Sequence, residues 1–248
     1  MRSALVLLAI SFQLHITFLS FAQERVRAAV AANLLFAAQE FTHDFYLKTD
    51  TEIELISAST GMLTAQIINN APYDIFFSAD YKHAFKLYQE GKCSDPVVFT
   101  QGQLTIWTEK EISFENISSY IEELSERSLA IANPNLAPYG TAALKWLKEN
   151  VVSDYDQLLV IAENVGQVNQ YIYSGSVDMA FTALSASYSK ALKGMGYWSP
   201  ALDAPPIPHY ACILTSSKNQ TETWEFLEFI LSERGQQILR KFGYLSTD

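Results

Sequence analysis

Short apolar runs alternate with stretches of helical periodicity along most of this chain, and that alternation most restricts what it can fold into. Residues 26–31 form an apolar run, followed by Leu34, Ala37, Ala38, Phe41 and Phe45 at helical spacing. Residues 52–57 and 74–78 repeat the strand pattern, each ahead of a helical stretch (63–69 and 81–90). Further strands are expected at 103–108, 128–132, 158–162, 178–184 and 210–215, with helices at 141–150, 166–174 and, as a pair, 221–242. Strands that alternate with helices cannot pair as hairpins. They predict an α/β fold in which mostly parallel sheets are covered by helices on both faces. In such sheets ligands bind at the carboxyl ends of strands, where helices begin.

Four separated segments sit at such positions: 31–33, 57–61, 137–140 and 163–166. Each joins a turn or capping residue to a helix start. The first N–H groups of a helix have no carbonyl to bond within it, and they carry the positive end of the helix dipole. Several such ends around one point bind an anion without Lys or Arg. Asn33 can cap a helix or donate its amide to a ligand, and Ser59, Thr60 and Gly61 supply hydroxyls and adjacent N–H groups in a tight turn. Tyr139 follows Pro138 at a helix start, and Val165 follows Asn164. Taken singly, each segment also reads as an ordinary strand-to-helix turn.

The net charge of −10 over 248 residues argues against nucleic acid as a partner. It does not exclude a buried anion site, because surface charge is screened by salt while local dipoles act at contact distance. The first residues read as an export signal: Arg2, an apolar run over 4–10, and small residues around Ala22 that place a cut before Gln23. Cys93 and Cys212 are expected as free thiols, and the His residues show no metal-ligand spacing. Ser185, His209 and Asp178 could compose a hydrolytic set, but no Gly-x-Ser-x-Gly elbow surrounds Ser185. Asp80 is expected to cap the helix that follows it.

In combination these segments resemble the periplasmic molybdate-binding proteins of ABC transporters. The stretches that carry the resemblance are 30–33, 57–63, 65–67, 70–80, 133–134 with 137–143, 163–165, 183–185 and 242–244. The resemblance implies a two-lobe type II periplasmic-binding-protein fold, each lobe a mixed, mostly parallel sheet flanked by helices, with the ligand cleft between lobes. On that pattern residues 1–22 are a signal peptide, 23–103 and 211–248 form lobe I, and 104–210 form lobe II. The resemblance also implies that Asn33 donates through backbone and side chain, and Thr60 through N–H and hydroxyl. Tyr139 and Val165 donate backbone N–H groups, with Ser59 close by. Ala32 and Ala183 stand where some relatives carry a hydroxyl. The implied protein is a periplasmic, monomeric carrier that binds molybdenum only as molybdate, or its tungsten counterpart, and serves an ABC permease with its ATPase. It needs no cofactor and is not an enzyme. The alternatives are another tetrahedral oxyanion or small anion as ligand, and an enzyme on the same two-lobe scaffold.

Overall fold

The most apolar runs become central strands buried on both faces of a sheet, while the strands Ile53–Ala58 and Leu159–Ala162 lie at sheet edges and are only partly buried. The computed structural model describes residues 25–113, 117–151, 154–201 and 203–247. The export signal expected at 1–22 lies outside them. In chain order, β1 (Val26–Ala31), β2 (Ile53–Ala58) and β3 (Ile75–Ser78) alternate with α1 (Leu35–Thr49), α2 (Thr60–Ile68) and α3 (Tyr81–Gln89). β4 (Val97–Gly102) leads directly into β5 (Leu104–Thr108). Then follow α4 (Ile117–Glu122), β6 (Leu129–Ala132), α5 (Pro138–Asn150), β7 (Leu159–Ala162), α6 (Val165–Ser174), β8 (Met179–Ala183) and β9 (Tyr197–Pro200). β10 (Ile207–Ile213) precedes the final helices α7 (Gln220–Leu231) and α8 (Glu233–Lys241).

The strands form two five-stranded sheets, ordered β2-β1-β3-β10-β4 and β7-β6-β8-β5-β9. Both are mixed. In each, two neighbouring pairs are parallel and two antiparallel. The antiparallel share is larger than the strand–helix alternation alone suggests. The chain crosses between sheets twice, at β4–β5 and on entering β10, and one strand in each sheet, β10 in the first and β5 in the second, runs against the parallel set. β4 was not expected from the sequence, and β10 starts three residues before the predicted 210. β9 adds an edge strand where no strand was expected.

The first sheet is covered on one side by α1, α7 and α8. Phe45 packs on Phe226 and Phe229, and Phe77 on Phe99 and Phe226, with ring centroids 5.2–6.1 Å apart. Burying rings of this size contributes roughly 1.5–3 kcal/mol each. Lys241 and Arg234 of α8 pair with Glu40 and Asp44 of α1. The sheet's other face holds Leu63, Phe76, Leu87 and the thiols of Cys93 and Cys212, both buried and free. Asp80 caps α3 as expected, its carboxylate accepting the His83 N–H at 2.8 Å. The third cluster is mostly second-sheet residues but includes Ala31, Ala32 and Ala79 of the first. The two lobes therefore meet at the carboxyl ends of β1 and β3. Among the described residues no helix is long and apolar enough to cross a membrane.

Candidate functional site

Where the lobes meet they enclose a small space. Ala31, Ala32, Asn33, Ser59, Thr60, Ala137, Pro138, Tyr139, Asn164 and Val165 surround a cavity of about 10 Å3. That is water-sized space, far below the roughly 300 Å3 at which pockets for drug-sized molecules start. All five residues predicted as oxyanion donors are in this wall. Each is nearly sealed from solvent: Asn33 is 3% exposed, Ser59 2%, Thr60 1%, Tyr139 2% and Val165 3%. The lobes are drawn together here. Gly61 N–H of the first lobe donates to Leu136 O of the second at 2.8 Å, and the Ser185 hydroxyl donates to Asn33 O at 2.8 Å.

Local sequence explains how each element delivers its donors. Thr60 is the first residue of α2, Pro138 and Tyr139 the first two of α5, and Val165 the first of α6. Proline suits that opening turn, because its missing N–H would find no intrahelical partner there. Asn33 lies inside a single 3-10 turn, Ala32–Leu34, that leads into α1. No Lys, Arg, His, Asp or Glu lines the cavity. Its polarity comes from helix-start N–H groups and hydroxyls, all of which donate to an anion.

Two hydroxyls are poised to donate. Thr60 Oγ1 accepts the Ala79 N–H at 3.3 Å, which leaves its own proton to give. Ser59 occupies the N-cap position of α2, yet its side chain makes no capping bond and its buried Oγ has no hydrogen-bond partner. A sealed hydroxyl without a partner costs about 1–3 kcal/mol, so the arrangement favours a ligand that accepts from it. Asn164, by contrast, spends its side chain on the Gln167 N–H at 3.1 Å.

Asn33 departs from expectation. Its side chain caps no helix, and both amide hydrogens are engaged, one with His209 Nε2 and one with Tyr244 Oη at 3.2 Å. The amide expected to donate to a ligand thus has partners behind the wall. Ser185 and His209 do not bond each other; both bond Asn33, which leaves no nucleophile–base pair. Ala183 ends β8 outside the cavity wall, whereas Ala32 is part of it.

Sequence reasoning missed the support behind the wall. Tyr244 Oη donates to Asn33 O at 2.7 Å, and His209 is fully buried beside it. Burial lowers the His209 pKa to about 4 and raises that of Tyr244 to about 12, so both are neutral at pH 7. Burial also pushes the Tyr139 hydroxyl well above its ordinary value, with the nearby Asn33 amide acting in the other direction. The available signal was a lone polar residue in apolar surroundings, which does not say what it meets. Among the described residues no cluster of His, Cys, Asp or Glu could hold a metal ion.

Comparison with known proteins agrees with this geometry. The family profile described as bacterial extracellular solute-binding protein matches residues 26–245. A protein of Azotobacter vinelandii named molybdate-binding protein ModA is 29% identical over 224 residues, spanning 88% of this chain and 89% of the relative. The protein of the same name from Rhodobacter capsulatus is 28% identical over 225 residues, spanning 89% and 88%. The solved Azotobacter vinelandii periplasmic molybdate-binding protein superposes with a TM-score of 0.82 at 28% identity, covering 90% of this chain and all of that one.

Proposed function

This chain belongs to the bacterial extracellular solute-binding proteins, and we propose that it captures molybdate, with tungstate as a near-equivalent ligand, for uptake by an ABC transporter. The observation that carries this is the sealed, uncharged cavity between lobes, walled by helix-start donors and an unpartnered buried hydroxyl. The named relatives agree with it. The backbone N–H groups of Asn33, Thr60, Tyr139 and Val165 and the hydroxyls of Thr60 and Ser59 hold the oxyanion. Charge-assisted bonds of this kind contribute roughly 1.5–3 kcal/mol each.

A donor-only wall also selects. Phosphate at neutral pH carries a proton that finds no acceptor there. Sulfate has the charge and shape of molybdate but shorter bonds to oxygen, so it cannot reach all donors of a ring spaced for the larger ion. Tungstate nearly matches molybdate in size, so the two are held alike. Ligand contacts on both lobes favour the closed arrangement, and closure reports occupancy to the permease. The protein acts as a monomer, without cofactor or catalytic activity, after export and removal of residues 1–22.

The test is a thermal-shift series on the mature protein with molybdate, tungstate, sulfate and phosphate. A ligand at about 1,000 times its Kd adds roughly 4 kcal/mol of stability. Stabilisation by molybdate and tungstate but not by sulfate is the expected result. A correctly folded, ligand-free sample that no oxyanion stabilises would rule the proposal out.

A further inference from the structure

His209 reaches the back of the cavity wall from β10, which the chain enters on crossing between the two sheets, and the β10–β4 register shifts between His209 and Tyr210. Such a bulge re-aims side chains, and this one accompanies a polar ring buried behind Asn33. Space for that ring comes from Gly102 at the end of β4. A Cβ there would sit 2.8 Å from His209 Cε1 and 2.0 Å from Tyr139 Oη.

The bonding of His209 fixes its proton. Nδ1 lies 2.8 Å from Ile207 O. A carbonyl can only accept, so Nδ1 carries the hydrogen, and in the neutral ring Nε2 is left as an acceptor. Nε2 takes one hydrogen of the Asn33 amide and Tyr244 Oη takes the other, while Asn33 O accepts from Tyr244 and Ser185. Asn33 is thus held at its side chain and at its carbonyl. Among the described residues His209 provides the only side-chain hydrogen bond to Asn33 that comes from a sheet strand.

We propose that His209 is a positioning residue for the anion site: its Nε2 accepts the Asn33 amide and so holds the Ala32–Leu34 turn in the cavity wall. This rests on the oxyanion function proposed above. The ring also packs edge-on against Phe99, Tyr139 and Tyr244, at 6.2, 6.1 and 5.6 Å between centroids. Phenylalanine keeps much of that packing and removes the acceptor. Glutamine places an oxygen near the position of Nε2.

The experiment measures molybdate Kd by calorimetry for wild type, His209→Phe, His209→Gln, Asn33→Ala and the double variant His209→Phe/Asn33→Ala, with the ligand-free Tm of each. His209→Phe is expected to weaken binding about tenfold, the loss for one hydrogen bond near a charged ligand. His209→Gln recovers most of that loss. In the Asn33→Ala background His209→Phe adds less than about twofold, because the two side chains act as one unit. Unchanged affinity in a folded His209→Phe protein, or losses that simply multiply, overturns the proposal. If His209→Phe does not fold, His209→Gln against His209→Asn makes the same contrast, since asparagine falls short of Asn33; equal affinity of those two overturns it. Wild-type protein that binds no oxyanion overturns the functional reading itself, which separates the two failures.

Discussion

Alanine at Gly102 tests the packing at the lobe crossing directly. Gly102 does not have the positive φ that disfavours L side chains, so the cost of alanine there is steric. The new Cβ would lie 2.0 Å from Tyr139 Oη, 3.2 Å from Tyr139 Cζ and 2.8 Å from His209 Cε1. An ordinary contact is about 3.5 Å, so the hydroxyl must retreat by roughly 1.5 Å. Both rings are buried. Overpacking a filled interior costs about 1–3 kcal/mol, and two rigid rings place Gly102→Ala near the top, at about 3 kcal/mol. Tyr139→Phe removes the nearest clash and leaves the contacts at 3.2 and 2.8 Å. The Asn33 amide beside Tyr139 Oη already bonds His209 and Tyr244, so phenylalanine alone is expected within about 1 kcal/mol of wild type. The double variant should regain at least about 1 kcal/mol over the sum of the singles. Urea unfolding of the four ligand-free proteins at pH 7.5 measures this. A Gly102→Ala protein within about 0.5 kcal/mol of wild type, or strictly additive effects, would show that the crossing is not packed around these rings.

Thr60→Ala removes a hydroxyl that is held by the Ala79 N–H and is free to donate. Molybdate affinity should fall about 10- to 100-fold, Thr60→Ser should retain it, and an unchanged Kd for Thr60→Ala refutes the role. Ser59→Ala deletes an unpartnered buried hydroxyl, so the ligand-free protein should be as stable or more stable while binding weakens; lower stability with intact affinity would contradict this. His209 gives a pH signature. Its folded pKa of about 4 lies below its unfolded value of 6.5, so the unfolded state binds more protons in between. The associated stability is complete above pH 6.5 and is lost as pH falls towards 4, about 3 kcal/mol in all. Unfolding free energies at pH 7 and pH 4.5 should therefore converge in His209→Gln relative to wild type, and equal losses in both would refute it.

The wall of the site was legible because its residues sit where strands turn into helices, and that placement is a local property. Asn33, Thr60, Tyr139 and Val165 each follow an apolar run or a turn within a few residues. What stands behind the wall is not local. Asn33 meets His209 across 176 residues and Tyr244 across 211, and nothing near any of the three announces the others. β4 escaped notice for a related reason. Thr100, Gln101 and Gly102 break its apolar pattern, because they face β10 and the C-terminal segment at the crossing, where Thr100 Oγ1 and Gln101 N–H both bond Leu245 O.

The harder distinction lies between a residue that caps a helix and one that serves a ligand, since both are short, polar and placed at helix starts. Asp80, Asn164 and Ser232 stand at N-cap positions and spend their side chains on N–H groups of their own helices. Ser59 holds the same position on α2, buried, and spends its side chain on nothing. Sequence makes these four residues equivalent, and only the direction of one hydroxyl separates them. A protein of net charge −10 can hold a dianion on this basis. The site needs no cation, only donors that the fold leaves without partners and shields from water, where each bond acts in a low dielectric.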